Sequence, residues 1–131
     1  MWSDGYAPPI VMAGVRVVGM LNVICLCAEW CSACRAWQPD WEAAAARHPE
    51  HRWQWLDIED EPDLMDEVGL DIETFPTVLI AREGRALYLS AIPPQPAFLD
   101  ALIARLSPAG APPQGVSPQA LALARQLWAR G

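Results

Sequence analysis

Apolar positions along this chain follow two rhythms. Residues 21–27 form a nearly unbroken apolar run, with Asn22 the one polar interruption. A run this short and apolar on both faces predicts a central strand covered on both sides. Just before it, Val15, Val17 and Val18 give residues 15–20 strand character. After Cys31 the spacing turns helical: Trp37 and Trp41 stand four apart, and Ala44 and Ala45 extend their stripe. This predicts a helix over 33–47 with its tryptophans in the core, and Pro39 should kink it by removing a backbone donor.

The same reading continues to the end of the chain. Residues 53–58 read as a second, parallel strand with Trp53 and Trp55 on one face. Residues 62–68 form a short helix that Gly69 ends. A β-branched-rich strand over 78–81 turns at Glu83-Gly84 and returns over 85–91 as a hairpin. Residues 96–106 are an amphipathic helix, and 107–117 a Pro-, Gly- and Ala-rich linker. Ser117 caps a last helix with Pro118 in its first position, and Leu121, Ala124 and Trp128 lie along one side with Leu127 adjacent. The expected architecture is therefore α/β: a central mixed sheet flanked by helices, plus a C-terminal helical extension. Its parts are a domain over 1–106 with an irregular arm at 1–10, the linker, and the helix at 118–131.

Composition narrows the function. With 131 residues, 53% of them hydrophobic, the chain has enough material for one packed core. Its net charge of −7, with the acidic residues concentrated between Asp57 and Glu73, argues against a nucleic-acid partner. That acidic stretch reads as a solvated face, or more sharply as a repulsive surface that selects partners. Gly14, Arg16, Gly19 and Asn22 break up the apolar residues between 11 and 28, so two strands are expected there rather than a membrane span. The N-terminus lacks the pattern of a secretory signal, so a soluble, cytoplasmic protein is expected. Free thiols are the rule in that compartment.

The chemistry gathers at Trp30-Cys31-Ser32-Ala33-Cys34, where the apolar run meets the first helix. Two cysteines three apart in a first helical turn can approach closely enough to exchange a disulfide, and the helix's open N–H groups suit a negatively charged leading sulfur. Structural zinc uses the same spacing, and inert packing is the third reading. Cys25 and Cys27 share a strand face and could complete a four-sulfur site, but their surroundings are dry and apolar. His48 and His51 stand at the far end of the helix, about 20 Å away at 1.5 Å per residue. Redox chemistry is the reading that fits this context best.

With Ala28-Glu29-Trp30-Cys31-Ser32-Ala33-Cys34, Pro39, Asp57-Ile58-Glu59, Phe75-Pro76-Thr77 and Glu83-Gly84 together, the chain resembles the thioredoxin family over about residues 15–106. The resemblance implies a thioredoxin-like fold and thiol–disulfide exchange on client protein disulfides. Cys31 would be the nucleophile and Cys34 the resolving thiol, joined as a redox-active Cys31–Cys34 disulfide with no metal or other cofactor. Trp30, Phe75 and a cis Pro76 would form the substrate groove. Electrons would come from a thioredoxin reductase or another dithiol donor.

Departures from the family pattern carry further expectations. Ser32 and Ala33 replace the usual Gly-Pro, which loosens the first turn, and neither is basic, which favours a reductant. Arg35 can act on the motif in either direction, depending on where its side chain goes. Cys25 takes the place of the family's buried Asp, and Trp55 that of a nearby Lys. A buried thiol is a poor proton acceptor, so slow resolution by Cys34 is expected. Cys25 could also trap Cys34 in an off-pathway disulfide, although plain packing accounts for both strand cysteines. Phe75 should narrow the groove, and Ile92 with Pro93 and Pro94 replaces a rim glycine. The competing reading is a thioredoxin-like binding or chaperone module with weak redox activity.

Overall fold

A computed structural model describes residues 20–130. The arm at 1–10 and the strand expected over 15–20 lie outside the described residues, apart from Met20. Among the described residues, four strands form one mixed sheet, in the order β2-β1-β3-β4. β1 (Asn22–Cys27) pairs in parallel with β2 (Arg52–Asp57) and antiparallel with β3 (Thr77–Arg82). β3 pairs antiparallel with β4 (Arg85–Ala91). β1 is the apolar run of the sequence, and its central position explains that composition: both of its faces are covered.

Alternation along β1 divides the core in two. Val23, Cys25 and Cys27 face one side with Val78 and Ile80. There they meet α1 (Ser32–Arg47), through Cys34, Trp37, Trp41 and Ala44, and α3 (Pro96–Leu106), through Leu99, Leu102, Ile103 and Leu106. Ile24 and Leu26 face the other side with Leu56 and Leu79. α2 (Pro62–Val68) and α4 (Pro118–Ala129) cover that side. α1 runs unbroken through Pro39. Trp41 sets its ring edge-on to both Trp53 and Trp55, with centroids at 5.0 and 6.2 Å, so Trp41 and the two partly buried tryptophans of β2 form one aromatic cluster at the edge of the core.

The segment over 107–117 is tied down rather than loose. Arg82 donates from its guanidinium to the carbonyls of Leu106 and Ser107, at 2.8 and 2.9 Å. The Gln114 N–H reaches the Leu87 carbonyl at 2.7 Å. Ser117 caps α4 by accepting from the Ala120 N–H at 3.1 Å. The buried side of α4 consists of Ala120, Leu123, Ala124 and Leu127; Ala124 and Leu127 are among the expected apolar residues, but the face is centred away from Leu121 and Trp128. The helix is rotated so that Leu121 is only half-buried and Trp128 lies at its margin, over the Glu83-Gly84 turn. Both turn residues have positive φ, 51° at Glu83 and 81° at Gly84, as a tight two-residue hairpin requires. A Cβ on Gly84 would come within 3.0 Å of the Trp128 ring.

Candidate active site

β1 ends at Cys27, one residue from a tight turn in which the Cys31 N–H bonds back to the Ala28 carbonyl at 2.9 Å. This turn makes Cys31 the N-cap of α1, in an extended conformation, with no side chain capping the helix. The first-turn N–H groups are therefore open toward the Cys31 end of the helix. Ser32 and Ala33 are exposed, Cys31 is partly exposed, and Cys34 is 1% exposed. Arg35 turns its guanidinium back onto the Glu29 carbonyl, bracing the loop ahead of the motif.

Opposite this loop, Phe75 and Pro76 lead into β3. Their peptide bond is cis, as the family resemblance implies. The loop is held at both ends: Thr77 Oγ1 donates to the Thr74 carbonyl at 2.6 Å, and the Ile92 N–H donates to the Pro76 carbonyl at 3.1 Å. Trp30 and Phe75 meet edge to face, with ring centroids 5.7 Å apart. That contact joins the motif loop to the cis-proline loop and puts an aromatic wall beside the cysteines. Trp30 is 65% exposed, so the wall is open to an incoming molecule. Pro76 is buried, and Phe75 packs partly against the cluster that holds Cys34.

The sulfurs are not joined as expected. Cys34 is bonded to Cys27, with Cα atoms 5.9 Å apart, and Cys31 is free. The reason is directional. Cys34 points inward from the first turn of α1 onto the sheet face to which Cys27 also points, whereas Cys31 sits at the helix entrance. The off-pathway trap for Cys34 considered at Cys25 is likewise corrected, because Cys27 occupies that place. Cys25 lies one step deeper, completely buried, with its Sγ 3.5 Å from that of Cys27. Since Cys27 is in a disulfide, Cys25 is the S–H donor of this contact.

Burial pushes the Cys25 thiol up to about 12, partly offset by the Trp37 indole N–H. That N–H makes no hydrogen bond of good geometry and leans on the Cys25 sulfur. Cys25 therefore stays protonated at neutral pH and cannot serve as a proton acceptor. The histidines are engaged elsewhere. His48 Nε2 meets Asp100 at 2.9 Å, and buried His51 accepts the Leu21 N–H on Nδ1 at 3.0 Å. Among the described residues, no group of three or more His, Cys, Asp or Glu side chains is arranged to hold a metal ion.

By sequence pattern alone, Cys27 groups with Cys25 as packing. The available signal is their shared strand face, but which of the two lies under Cys34 depends on the turn between β1 and α1.

The sequence model of the Thioredoxin family matches residues 16–97, and the chain belongs to that family. Among its relatives, the Streptomyces coelicolor protein named "Putative thioredoxin 2" is 36% identical over 61 residues, 47% of this chain and 44% of that one. A Brevibacillus choshinensis "Disulfide bond formation protein" is 26% identical over 66 residues, 50% of this chain and 56% of that one. The chain spans about half the length of the curated relatives it matches. Oxidised mitochondrial thioredoxin 3 of Saccharomyces cerevisiae superposes with a TM-score of 0.57 at 25% identity, covering 67% of this chain and 80% of that one.

Proposed function

We propose that this chain is a thiol–disulfide oxidoreductase that reduces disulfides of client proteins. The observation that carries this reading is Cys31, a free thiol at the N-cap of α1, reachable from outside, with Cys34 buried one turn behind it. In the proposed reaction, which starts once the Cys27–Cys34 bond has been reduced, the Cys31 thiolate attacks one sulfur of the client disulfide and expels the other as a thiolate. Cys34 then attacks the Cys31 sulfur and releases the second client thiol, so the client gains two electrons and the pair loses them. Trp30 and Phe75 flank the incoming chain, and the backbone at the cis Phe75–Pro76 bond offers it strand-like hydrogen bonds. No other cofactor takes part in this scheme. A thioredoxin reductase or another dithiol donor would restore the thiols.

The cytoplasm, where thiols are kept reduced, is the compartment that suits this direction of electron flow. Among the described residues no helix is long and apolar enough to cross a membrane.

A second reading has one specific observation in its favour. With Cys34 held by Cys27, Cys31 stands as a single thiol that could capture a client without releasing it, as a binding or chaperone module would. Insulin reduction with dithiothreitol separates the two. Wild type should accelerate precipitation and Cys31→Ser should fall to the uncatalysed rate; equal rates for both proteins would support the binding module.

A further inference from the structure

We propose that Cys27 is a third working thiol. In this scheme it takes Cys34 over from Cys31, drawing the disulfide into the core and returning Cys31 to the surface as a free nucleophile. This inference rests on the oxidoreductase reading above and adds a residue to it.

Three observations carry the proposal. First, Cys34 is common to two possible bonds, one to Cys31 at the helix entrance and one to Cys27 at the end of β1, and a sulfur holds only one at a time. The structure holds the inner bond, with both of its residues 1% exposed and Cys31 free. Second, the frame that positions the three cysteines is short and braced by backbone bonds, from Cys31 N–H to Ala28 and from Arg35 N–H to Cys31. Exchange at Cys34 then needs a change of partner rather than a change of fold. Third, the exchange has an end point. Cys25 touches Cys27, but two residues apart on an extended strand their Cα atoms stand about 6.7 Å apart, at the upper limit for a disulfide, whereas those of Cys27 and Cys34 stand 5.9 Å apart.

The steps balance. The Cys31 thiolate attacks the client disulfide, and Cys34 closes a bond to Cys31 and frees the client. Cys27 then attacks the Cys34 sulfur, giving its proton to the Cys31 sulfur that it expels, and forms the Cys27–Cys34 bond. Overall, the client disulfide gains two electrons and two protons, Cys27 and Cys34 lose them, and Cys31 returns unchanged. The last step is an isomerisation that needs no added oxidant. Recharging runs it backwards: Cys31 attacks Cys34, and the outer bond that results is open to an external dithiol.

The test uses the full chain, reduced and then exposed to oxidised glutathione. Samples are quenched in acid at intervals, labelled with N-ethylmaleimide and mapped by fragmentation mass spectrometry. The final wild-type product should carry the Cys27–Cys34 bond, with Cys31 labelled readily without denaturant. A final Cys31–Cys34 bond, or any bond to Cys25, overturns the proposal. In Cys31→Ser the inner bond should form at least about tenfold more slowly, because the buried thiols have lost their access to the oxidant; formation at the wild-type rate also overturns it. Cys27→Ala should stop at Cys31–Cys34 with no thiol labelled in the native state, but the wild-type map and the Cys31→Ser rate decide the matter without that variant. Bond mapping is independent of activity. A chain that reduces insulin yet ends at Cys31–Cys34 keeps the proposed function and loses Cys27, whereas the inner bond without insulin reduction keeps Cys27 as the partner of Cys34 and loses the proposed function.

Discussion

Replacing Leu123 by alanine tests the orientation of α4, because it separates the helix face that is buried from the one its sequence suggests. Leu123 is fully buried among Ile24, Leu79, Ala120 and their neighbours, while Leu121, two residues earlier on the same helix, is only half-buried. Both changes put the same residue into the same helix, so helix propensity cancels in the comparison. Leu123→Ala removes three buried carbons, about 2.4 kcal/mol at roughly 0.8 kcal/mol per group, and the cavity left behind raises the cost to about 3–4 kcal/mol. Leu121→Ala should cost about 1–1.5 kcal/mol, since it is only partly buried at the edge of the cluster and leaves no closed cavity. With an m-value of roughly 1.5 kcal/mol/M for a chain of this size, the urea midpoint should drop by about 2 M for Leu123→Ala and by about 1 M or less for Leu121→Ala. Far-UV circular dichroism under reducing conditions reads both transitions. Equal losses, or a greater loss from Leu121→Ala, would refute the packing described for α4. Folded Leu123→Ala should still reduce insulin, because α4 covers the sheet face opposite the sulfurs.

Three further perturbations test other parts of the structure. Burial holds His51 below its ordinary 6.5, against an upward pull from Glu50, and its Nδ1 must stay unprotonated to accept the Leu21 N–H. The contribution of His51 to stability is therefore fully present above pH 6.5 and declines as pH falls from 6.5 toward the lowered native value, because the unfolded chain takes up the proton first. Urea midpoints at about pH 7 and about pH 5.5 should differ more for wild type than for His51→Gln, and equal differences would count against this account. Gly84→Ala places a Cβ at positive φ and against the Trp128 ring, and should cost about 1–3 kcal/mol in the same urea assay; a neutral result would mean that Trp128 does not rest on the turn. Cys25→Asp puts a proton acceptor beside Cys27 and the Trp37 N–H, and should raise the insulin-reduction rate at some loss of stability; an unchanged rate in folded protein removes proton transfer as the slow step.

Most of the secondary structure is legible because local rules are sufficient. The boundaries of α2, β4 and α3 follow from Gly69, from the Glu83-Gly84 turn and from Pro96 at the start of a helix, features that act within a few residues. The pairing of the cysteines is not legible. Residues 31 and 34 are the nearer pair along the chain, and spacing alone favours them. Cys27 wins in the structure because a strand end and a helix start are brought face to face by the turn at 28–31, a geometry that no periodicity encodes.

What the sequence determined by itself was each element's period, its caps and turns, and the placement of two cysteines at a strand-to-helix junction; all of these depend on backbone sterics and hydrogen bonds between near neighbours. Tertiary structure alone decided which face α4 buries, that Trp30 meets Phe75 across two loops, and that Cys34 turns inward to Cys27. The physical reason is that a helix with apolar residues on adjoining sides has several nearly equivalent orientations. Only the shape of the surface it packs against, assembled from residues distant in the chain, selects one of them.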